Sequence, residues 1–142
     1  MKKTVYISLT ADSIHHGHMK LFETARKYGD IIIGLLSDKA VAEHKRIPYL
    51  NFEQRKKILT NFKGVKSVIK QNEWDYSKNI KSLKPDFLVH GDDWKTGHMS
   101  EIRRKVLKIM KSYGGKLIEI PYTKGVSSSA LINHLNEISV TP

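Results

Sequence analysis

The fold is decided by one stretch, Val5-Tyr6-Ile7-Ser8-Leu9-Thr10-Ala11-Asp12-Ser13-Ile14-His15-His16-Gly17-His18. Its first five residues, mostly β-branched, aromatic or aliphatic, predict a short buried strand. Apolar residues then recur at helical spacing from Gly17 to Gly29, and a glycine often follows the last turn of a helix. The continuous apolar run over 31–36 predicts a second strand covered on both faces. The stretch therefore starts a strand–helix–strand unit, from which parallel sheets are built.

The same alternation continues along the chain. Hydrophobic periodicity predicts helices over 38–43, 51–62, 76–83 and 102–113, and a last one after Ser129; it predicts strands over 65–69, 86–90 and 116–120. Asn51 and Gln54 resemble a capping box, and the helix they open is expected to bury Ile58, Leu59 and Phe62. We expect one α/β domain over 1–142: a Rossmann-like open parallel five-stranded sheet with helices on both faces.

Composition excludes several classes of protein. The chain has no cysteine, which rules out disulfides, zinc–thiolate sites and a thiol nucleophile. No apolar run approaches the roughly 20 residues of a membrane span, so we expect a cytoplasmic protein with no membrane partner. The net charge of +11 indicates anionic partners, which include nucleic acid, an acidic membrane surface or a polyphosphate. Neither a dinucleotide fingerprint nor a P-loop is present.

Three polar loops are expected at the carboxyl ends of strands, where open α/β sheets bind ligands. They are 10–18, 91–97 and 122–129. In the first loop, Gly17 and His18 open a helix, whose free N–H groups and positive dipole end favour an anion. His15 and His18, three residues apart, can turn two imidazole donors to one side, while His16 points elsewhere. The alternatives are histidines that only cap the helix, and a zinc site, which lacks a third ligand.

Four segments, taken in order along nearly the whole chain, resemble the cytidylyltransferases of the nucleotidyltransferase superfamily that carries a His-x-Gly-His motif. They are Thr10-x-Asp12-x-x-His15-x-Gly17-His18, Glu53-x-Arg55-Lys56, Gly91-Asp92-Asp93-Trp94 and Lys124-Gly125-Val126-Ser127-Ser128-Ser129. Two further segments, Lys45-Arg46-x-Pro48-Tyr49-Leu50 and Val89-His90-Gly91-Asp92-Asp93-Trp94-Lys95-Thr96-Gly97, look like the cytidylyltransferase domain fused to phosphoenolpyruvate mutase in phosphonate and fosfomycin biosynthesis. That resemblance implies that the chain is the N-terminal part of a longer bifunctional protein or a free-standing relative.

The resemblance implies transfer of CMP from CTP to 2-hydroxyethylphosphonate or 2-aminoethylphosphonate, with release of pyrophosphate. Alternatives are glycerol-3-phosphate or phosphoethanolamine cytidylyltransferase, an adenylyltransferase of the same fold, or a basic nucleic-acid-binding module. The glycerol-3-phosphate branch has an arginine where Tyr122 stands, which argues against that acceptor. The resemblance also implies Mg²⁺ held mainly by the CTP phosphates, no metal ligand from the protein, no nucleic-acid partner and a homodimer.

The roles of individual residues follow from the same resemblance. The predicted catalytic residues are His15, His18 and Lys45. The predicted nucleotide-binding residues are Thr10, Ala11, Gly17, Arg46, Gly91, Asp92, Thr123, Val126, Ser127, Ser128 and Ser129. The predicted acceptor-binding residues are Asp12, Tyr49, Arg55, Trp74, Asp93 and Trp94.

Overall fold

The computed structural model describes residues 2–97 and 99–121. Within them the chain alternates between strands and helices. The strands are β1 (Thr4–Leu9), β2 (Asp30–Leu36), β3 (Val65–Gln71), β4 (Phe87–Gly91) and β5 (Lys116–Ile120). The helices are α1 (His16–Tyr28), α2 (Asp38–His44), α3 (Phe52–Thr60), α4 (Ser77–Leu83) and α5 (Ser100–Tyr113), and a short 3₁₀ turn covers Asp92–Trp94.

The described strands form one parallel sheet in the order β3-β2-β1-β4-β5. The order reverses between β1 and β4, which are hydrogen-bonded neighbours. The loops that leave these two strands therefore diverge to opposite faces and open a crevice at the carboxyl edge of the sheet. The predicted fold class is confirmed.

Two apolar layers cover the two faces of the sheet. Alternate residues of β1 point to opposite sides: Val5 and Ile7 pack with Phe22 of α1, whereas Tyr6 packs with Met110 of α5. Helix α3 joins the first layer and α4 the second. Helices therefore lie on both faces, which explains why β2 is apolar along most of its length.

Most element boundaries agree with the predicted ones to within two residues, and two expectations are corrected. The polar loop after β4 contains the 3₁₀ turn, because Trp94 turns inward and is 1% exposed. In α3, Ile58 is 42% exposed instead of buried, and Arg55 is turned inward with Leu59. The capping box of Asn51 and Gln54 is present, with both hydrogen bonds at 2.9 Å.

Candidate active site

The histidine loop, residues 10–18, leaves β1 at the crevice and enters α1. Its backbone contains a strained residue, because the alanine at position 11 has φ of 55°, in the left-handed region that a side chain disfavours. Such strain persists only where surrounding contacts hold it in place, and it is common at ligand sites.

His15 and His18 cap helix α1 with their own side chains. The N–H of Gly17 donates to Nδ1 of His15 (3.1 Å), and the N–H of His15 donates to Nδ1 of His18 (3.1 Å). A backbone N–H can only donate, so both Nδ1 atoms are unprotonated. In the neutral rings the proton is then on Nε2, which leaves each imidazole with one N–H donor that the cap does not use. His16 is exposed and stays outside this arrangement.

The electrostatics keep both rings neutral. Burial lowers the pKa of His18 to about 4, with further lowering by His15 and Lys45. Burial and the neighbouring His16 lower the pKa of His15. Near neutral pH the pair therefore presents two neutral donors beside the positive end of a 13-residue helix, an arrangement suited to phosphate oxygens. The capping role and the phosphate-donor role, which the sequence set against each other, are compatible in this geometry.

Lys45 and Arg46 follow helix α2 and approach this loop from the side of β2. The Lys45 ammonium lies 5.4 Å from the centre of the Trp74 ring, a cation–π contact. The Trp74 indole N–H donates to the carbonyl of Ala40 (2.9 Å), which fixes the ring. Desolvation and the charge of Arg46 lower the pKa of Lys45. The predicted role of Lys45 stays a prediction, but its charge acts on His18, so the two are near each other.

A cleft of about 470 Å³ opens beside Lys45. Its lining is half aromatic or apolar and half charged: His44, Lys45, Trp74, Asp75, Met99, Glu101, Ile102 and Lys105. Asp75 already accepts hydrogen bonds from the Ser77 N–H and from Lys105. Glu101 has no ion-pair partner among residues 2–97 and 99–121, so its carboxylate is available to a ligand.

Two predicted acceptor ligands are buried and bound to the chain itself. The Asp12 side chain is 1% exposed and its oxygens are taken by the chain itself: they accept the N–H groups of Tyr49 (3.0 Å) and Leu50 (2.9 Å) and pair with Arg46 (3.0 Å). A carboxylate enclosed in this way has no oxygen for an acceptor. Arg46 also lies over the Tyr49 ring at 4.4 Å. The ligand roles of Arg46 and of the exposed Tyr49 stay predictions.

Arg55 is the second of these residues, and it is fully buried. Its guanidinium donates to the carbonyls of Thr10 (2.8 Å), Leu36 (2.8 Å) and Leu50 (3.0 Å) and to the Asp38 carboxylate (2.7 Å). Arg55 therefore ties together the ends of β1 and β2 and the segment before α3, and its predicted acceptor role stays a prediction. Asp38 was not predicted as a site residue, although a carboxylate two residues after a buried strand was a usable signal.

The loop after β4 differs from expectation in its aromatic residue. Trp94 is stacked between His90 (3.7 Å between ring centres) and Tyr76 (6.3 Å), and its indole N–H donates to Glu119 (2.8 Å). Arg103 makes two hydrogen bonds to the same carboxylate. In this structure the Trp94 ring is packed inside the protein, and its predicted contact with the acceptor stays a prediction. Glu119 was missed, although a carboxylate within a short apolar strand signals a buried polar partner.

The remaining predicted residues divide into two groups. The residues Thr10, Ala11, Gly17, Gly91, Asp92 and Asp93 lie in the loops at the carboxyl edge of the sheet, on both sides of the crevice, where their roles stay predictions. Thr123, Val126, Ser127, Ser128 and Ser129 lie outside the described residues. Within the described part of the chain, no three His, Asp or Glu side chains converge as a metal site would require.

Comparison with known proteins places this site in a family. The model of the family described as "Cytidylyltransferase-like" matches residues 10–134. The chain belongs to this cytidylyltransferase-like family. It is 32% identical over 133 residues to glycerol-3-phosphate cytidylyltransferase of Bacillus spizizenii, covering 92% of this chain and 95% of that protein. It is 31% identical to ethanolamine-phosphate cytidylyltransferase of Dictyostelium discoideum, covering 92% of this chain but 36% of that one.

Solved structures support the fold of this family member. A lipopolysaccharide core biosynthesis protein from Thermoplasma volcanium superposes with a TM-score of 0.72 at 22% identity, covering 87% of this chain and all of the other. The predicted enzyme class, a nucleotidyltransferase of the cytidylyltransferase type, is confirmed by the family. None of the helices within residues 2–97 and 99–121 has the length and apolar character needed to cross a membrane.

Proposed function

We propose that this cytidylyltransferase transfers CMP from CTP to the phosphate group of a small phosphorylated alcohol and releases pyrophosphate. The family match and the similarity to a glycerol-3-phosphate enzyme over 95% of that enzyme's length support this reaction. The similarity to an ethanolamine-phosphate enzyme supports an acceptor of the same size that carries an amine.

The observation that carries the proposal is the paired capping of α1 by His15 and His18. Because both Nδ1 atoms accept backbone N–H groups, both Nε2–H groups remain available as donors. The donors are built into the helix cap, so their orientation is fixed before a ligand binds. Preorganised donors of this kind stabilise charge that develops in a transition state.

The chemistry needs alignment and charge neutralisation more than proton transfer. An oxygen of the acceptor attacks the α-phosphorus of CTP, and the bond from that phosphorus to the bridging oxygen of pyrophosphate breaks. The phosphate dianion of the acceptor is already ionised near neutral pH, so no general base is required. His15, His18 and the N-terminus of α1 would bind the phosphate oxygens, and Lys45 would neutralise charge from the side.

Magnesium is expected with CTP, where it would neutralise phosphate charge. Mg²⁺ in such sites keeps several waters and is held by substrate phosphates together with one or two carboxylates. We propose that the nucleotide phosphates hold the ion.

The cleft beside Lys45 supports an acceptor with an amine. The Trp74 ring binds an ammonium group on its face, which in this structure is that of Lys45; the acceptor's amine would take this place when Lys45 turns to the phosphates, and Glu101 offers a carboxylate in the same cleft. These are the groups that recognise an alkylammonium. Phosphoethanolamine fits this description better than glycerol 3-phosphate does.

Phosphonates are the second candidate acceptors, since they present the same dianionic group. The sequence over 45–50 and 89–97 favours them, and 2-aminoethylphosphonate also carries the amine that suits Trp74 and Glu101. Fusion to a mutase domain, a homodimer and a cytoplasmic location stay predictions.

The test is a screen for CTP-dependent pyrophosphate release. The four acceptors are phosphoethanolamine, glycerol 3-phosphate, 2-aminoethylphosphonate and 2-hydroxyethylphosphonate, each with CTP and with ATP. We expect turnover with CTP and a higher kcat/KM for the amine-bearing member of each pair. Turnover with ATP alone would replace the proposal with adenylyl transfer. No turnover with any acceptor, together with salt-dependent binding to RNA or DNA, would support a nucleic-acid-binding module instead.

A further inference from the structure

Asp12 makes three contacts with one short segment of the chain. Its side chain accepts the N–H groups of Tyr49 and Leu50 and pairs with Arg46, and these residues lie between α2 and α3. A buried carboxylate is costly unless its oxygens are paired, and these three donors provide the pairing. The contacts therefore stabilise the carboxylate and the segment together.

The segment has few other anchors. It contains no helix or strand, Pro48 has no N–H to donate, and the side chains of Ile47 and Tyr49 project into solvent. An irregular segment with exposed apolar side chains gains little from packing, so its hydrogen bonds determine its position. Apart from the Asp12 contacts, the segment is held to the described part of the chain by the Lys45 N–H bond to the Val41 carbonyl, the Arg55 bond to the Leu50 carbonyl and the contact of Lys45 with Trp74.

Asp12 also belongs to the histidine loop, three residues before His15. The backbone of this loop is strained at position 11 and is tied down at the Thr10 carbonyl, which accepts from Arg55. One carboxylate thus joins a loop whose conformation is held rigidly to a segment that has little structure of its own. The segment begins with Lys45, whose charge acts on His18.

We propose that Asp12 is a positioning residue that latches the Lys45–Leu50 segment onto the histidine loop, so that Lys45 and the two imidazoles are in place before the nucleotide binds. In this arrangement Arg46 belongs to the latch through its ion pair with Asp12. The kinetic part of this inference rests on the proposed function; the structural part does not.

The structural part is tested with Asp12→Asn by measuring amide exchange. Asparagine has the same shape, but its NH₂ group cannot accept the N–H that one carboxylate oxygen accepts. We expect exchange at Tyr49 or Leu50 to become at least tenfold faster, with the strands unchanged. The matched control is Asp30→Asn, at the opposite edge of the sheet, where the carboxylate pairs with Lys2; it should leave both amides unchanged.

The kinetic part is tested by a double-mutant cycle of Asp12→Asn and Lys45→Met. A latch predicts that Lys45→Met lowers kcat/KM at least fivefold less in the Asp12→Asn background than in the wild type, because Lys45 is no longer held in place. If Asp12 bound the acceptor, Asp12→Asn would instead raise the KM for the acceptor. The effects of the two substitutions on kcat/KM would then multiply.

Unchanged exchange at both amides in folded Asp12→Asn overturns the latch, and so does a cycle in which the factors multiply. If Asp12→Asn does not fold, Arg46→Met removes the ion pair and the contact of Arg46 with the Tyr49 ring but leaves the Asp12 carboxylate, and it must still speed exchange at Tyr49. Absence of CTP turnover in the wild type would remove the proposed function, whereas the exchange measurement would still decide whether the latch exists.

Discussion

The loops that leave β1 and β4 lie side by side at the crevice, and both are polar segments that follow a strand. They nevertheless use their ring-bearing residues in opposite ways. After β1, the His15 and His18 rings bond to the backbone through Nδ1 and keep Nε2–H for a ligand. After β4, the Trp94 ring enters the core and its N–H is taken by Glu119. One loop presents its donors, and the other uses its donor to hold the fold.

A side chain at the carboxyl edge of the sheet is therefore not a ligand by its position alone. A donor that is satisfied inside the protein stabilises the fold; a donor that the fold orients but does not satisfy is available for chemistry. We therefore expect substitutions in the two loops to have different effects. Those after β4 should lower stability, and those after β1 should lower turnover.

The largest effect is expected from Trp94→Ala. Removing a buried tryptophan leaves a cavity, loses two ring stacks and removes one of the donors to the Glu119 carboxylate, which Arg103 still binds, so the free energy of unfolding should fall by about 3–5 kcal/mol. Chemical denaturation measures it. Trp94→Phe keeps an aromatic ring in the stack and should cost only about 1–2 kcal/mol, with the KM for CTP unchanged. A large rise of the KM for CTP in folded Trp94→Phe would mean that Trp94 contacts the nucleotide. The proposed contrast between the two loops would then be wrong.

The histidines provide the opposite case, with variants that preserve the cap. Asparagine has its Oδ1 at the position of the imidazole Nδ1 and no atom at the position of Nε2, so His15→Asn and His18→Asn should keep the cap of α1 while no donor replaces the Nε2–H. We expect kcat to fall by about 10²–10³-fold in each, as for the loss of one oxyanion donor. The free energy of unfolding should change by less than about 1 kcal/mol.

His16→Ala is the matched control for these variants, since His16 is exposed in the same turn. It should retain wild-type turnover. Near-normal kcat in both His15→Asn and His18→Asn would show that the imidazoles only cap the helix, and the contrast between the two loops would disappear.

Arg55→Lys probes the scaffold that both loops share. Lysine keeps the charge, but its ammonium cannot reproduce the fork that serves three carbonyls and Asp38. We expect a loss of about 2–3 kcal/mol in the free energy of unfolding, because buried carbonyls lose their donors. If Arg55→Lys instead folds normally and shows a raised acceptor KM, Arg55 binds the acceptor after all. Arg104→Lys, on the exposed side of α5, is the control and should change neither quantity.

The sheet could be predicted from sequence because its signals are local. Apolar runs, helical periodicity and the Asn51 capping box each lie within a few residues, and they gave all the described strands. Arg55 could not be assigned, because its partners are carbonyls at the ends of two strands distant in sequence. Helical geometry nevertheless places Arg55 on the same face as Leu59, four residues on, and leaves Ile58 outside it. The prediction of the site failed where a polar side chain was assumed to be exposed.

The histidine loop was predicted in its position and its residues but not in its hydrogen bonding. That a donor and a cap can be the same imidazole depends on which ring nitrogen faces the backbone, and spacing does not encode this. The Asp12 contacts were missed for a related reason: their partners, two backbone N–H groups, are independent of residue type.

The smallest predicted effect is a pH dependence that belongs to His18. Its pKa is about 4 in the folded protein against 6.5 when unperturbed, so between these values the unfolded chain binds the proton that the folded one refuses. The contribution of His18 to the free energy of unfolding is therefore fully present above pH 6.5 and is lost as the pH falls towards 4. About 1–2 kcal/mol of it is lost at pH 5. Denaturation of wild type and His18→Gln across this range measures it.

The glutamine variant isolates this titration from those of His15 and His90, whose pKa values are also lowered. Its stability should decline less steeply with acid than that of the wild type. Identical slopes would mean that protonation does not disturb the cap, and Nδ1 of His18 would then not be the acceptor that orients its Nε2–H. The slope difference thus tests, without substrate, the single feature that separates the loop after β1 from the loop after β4.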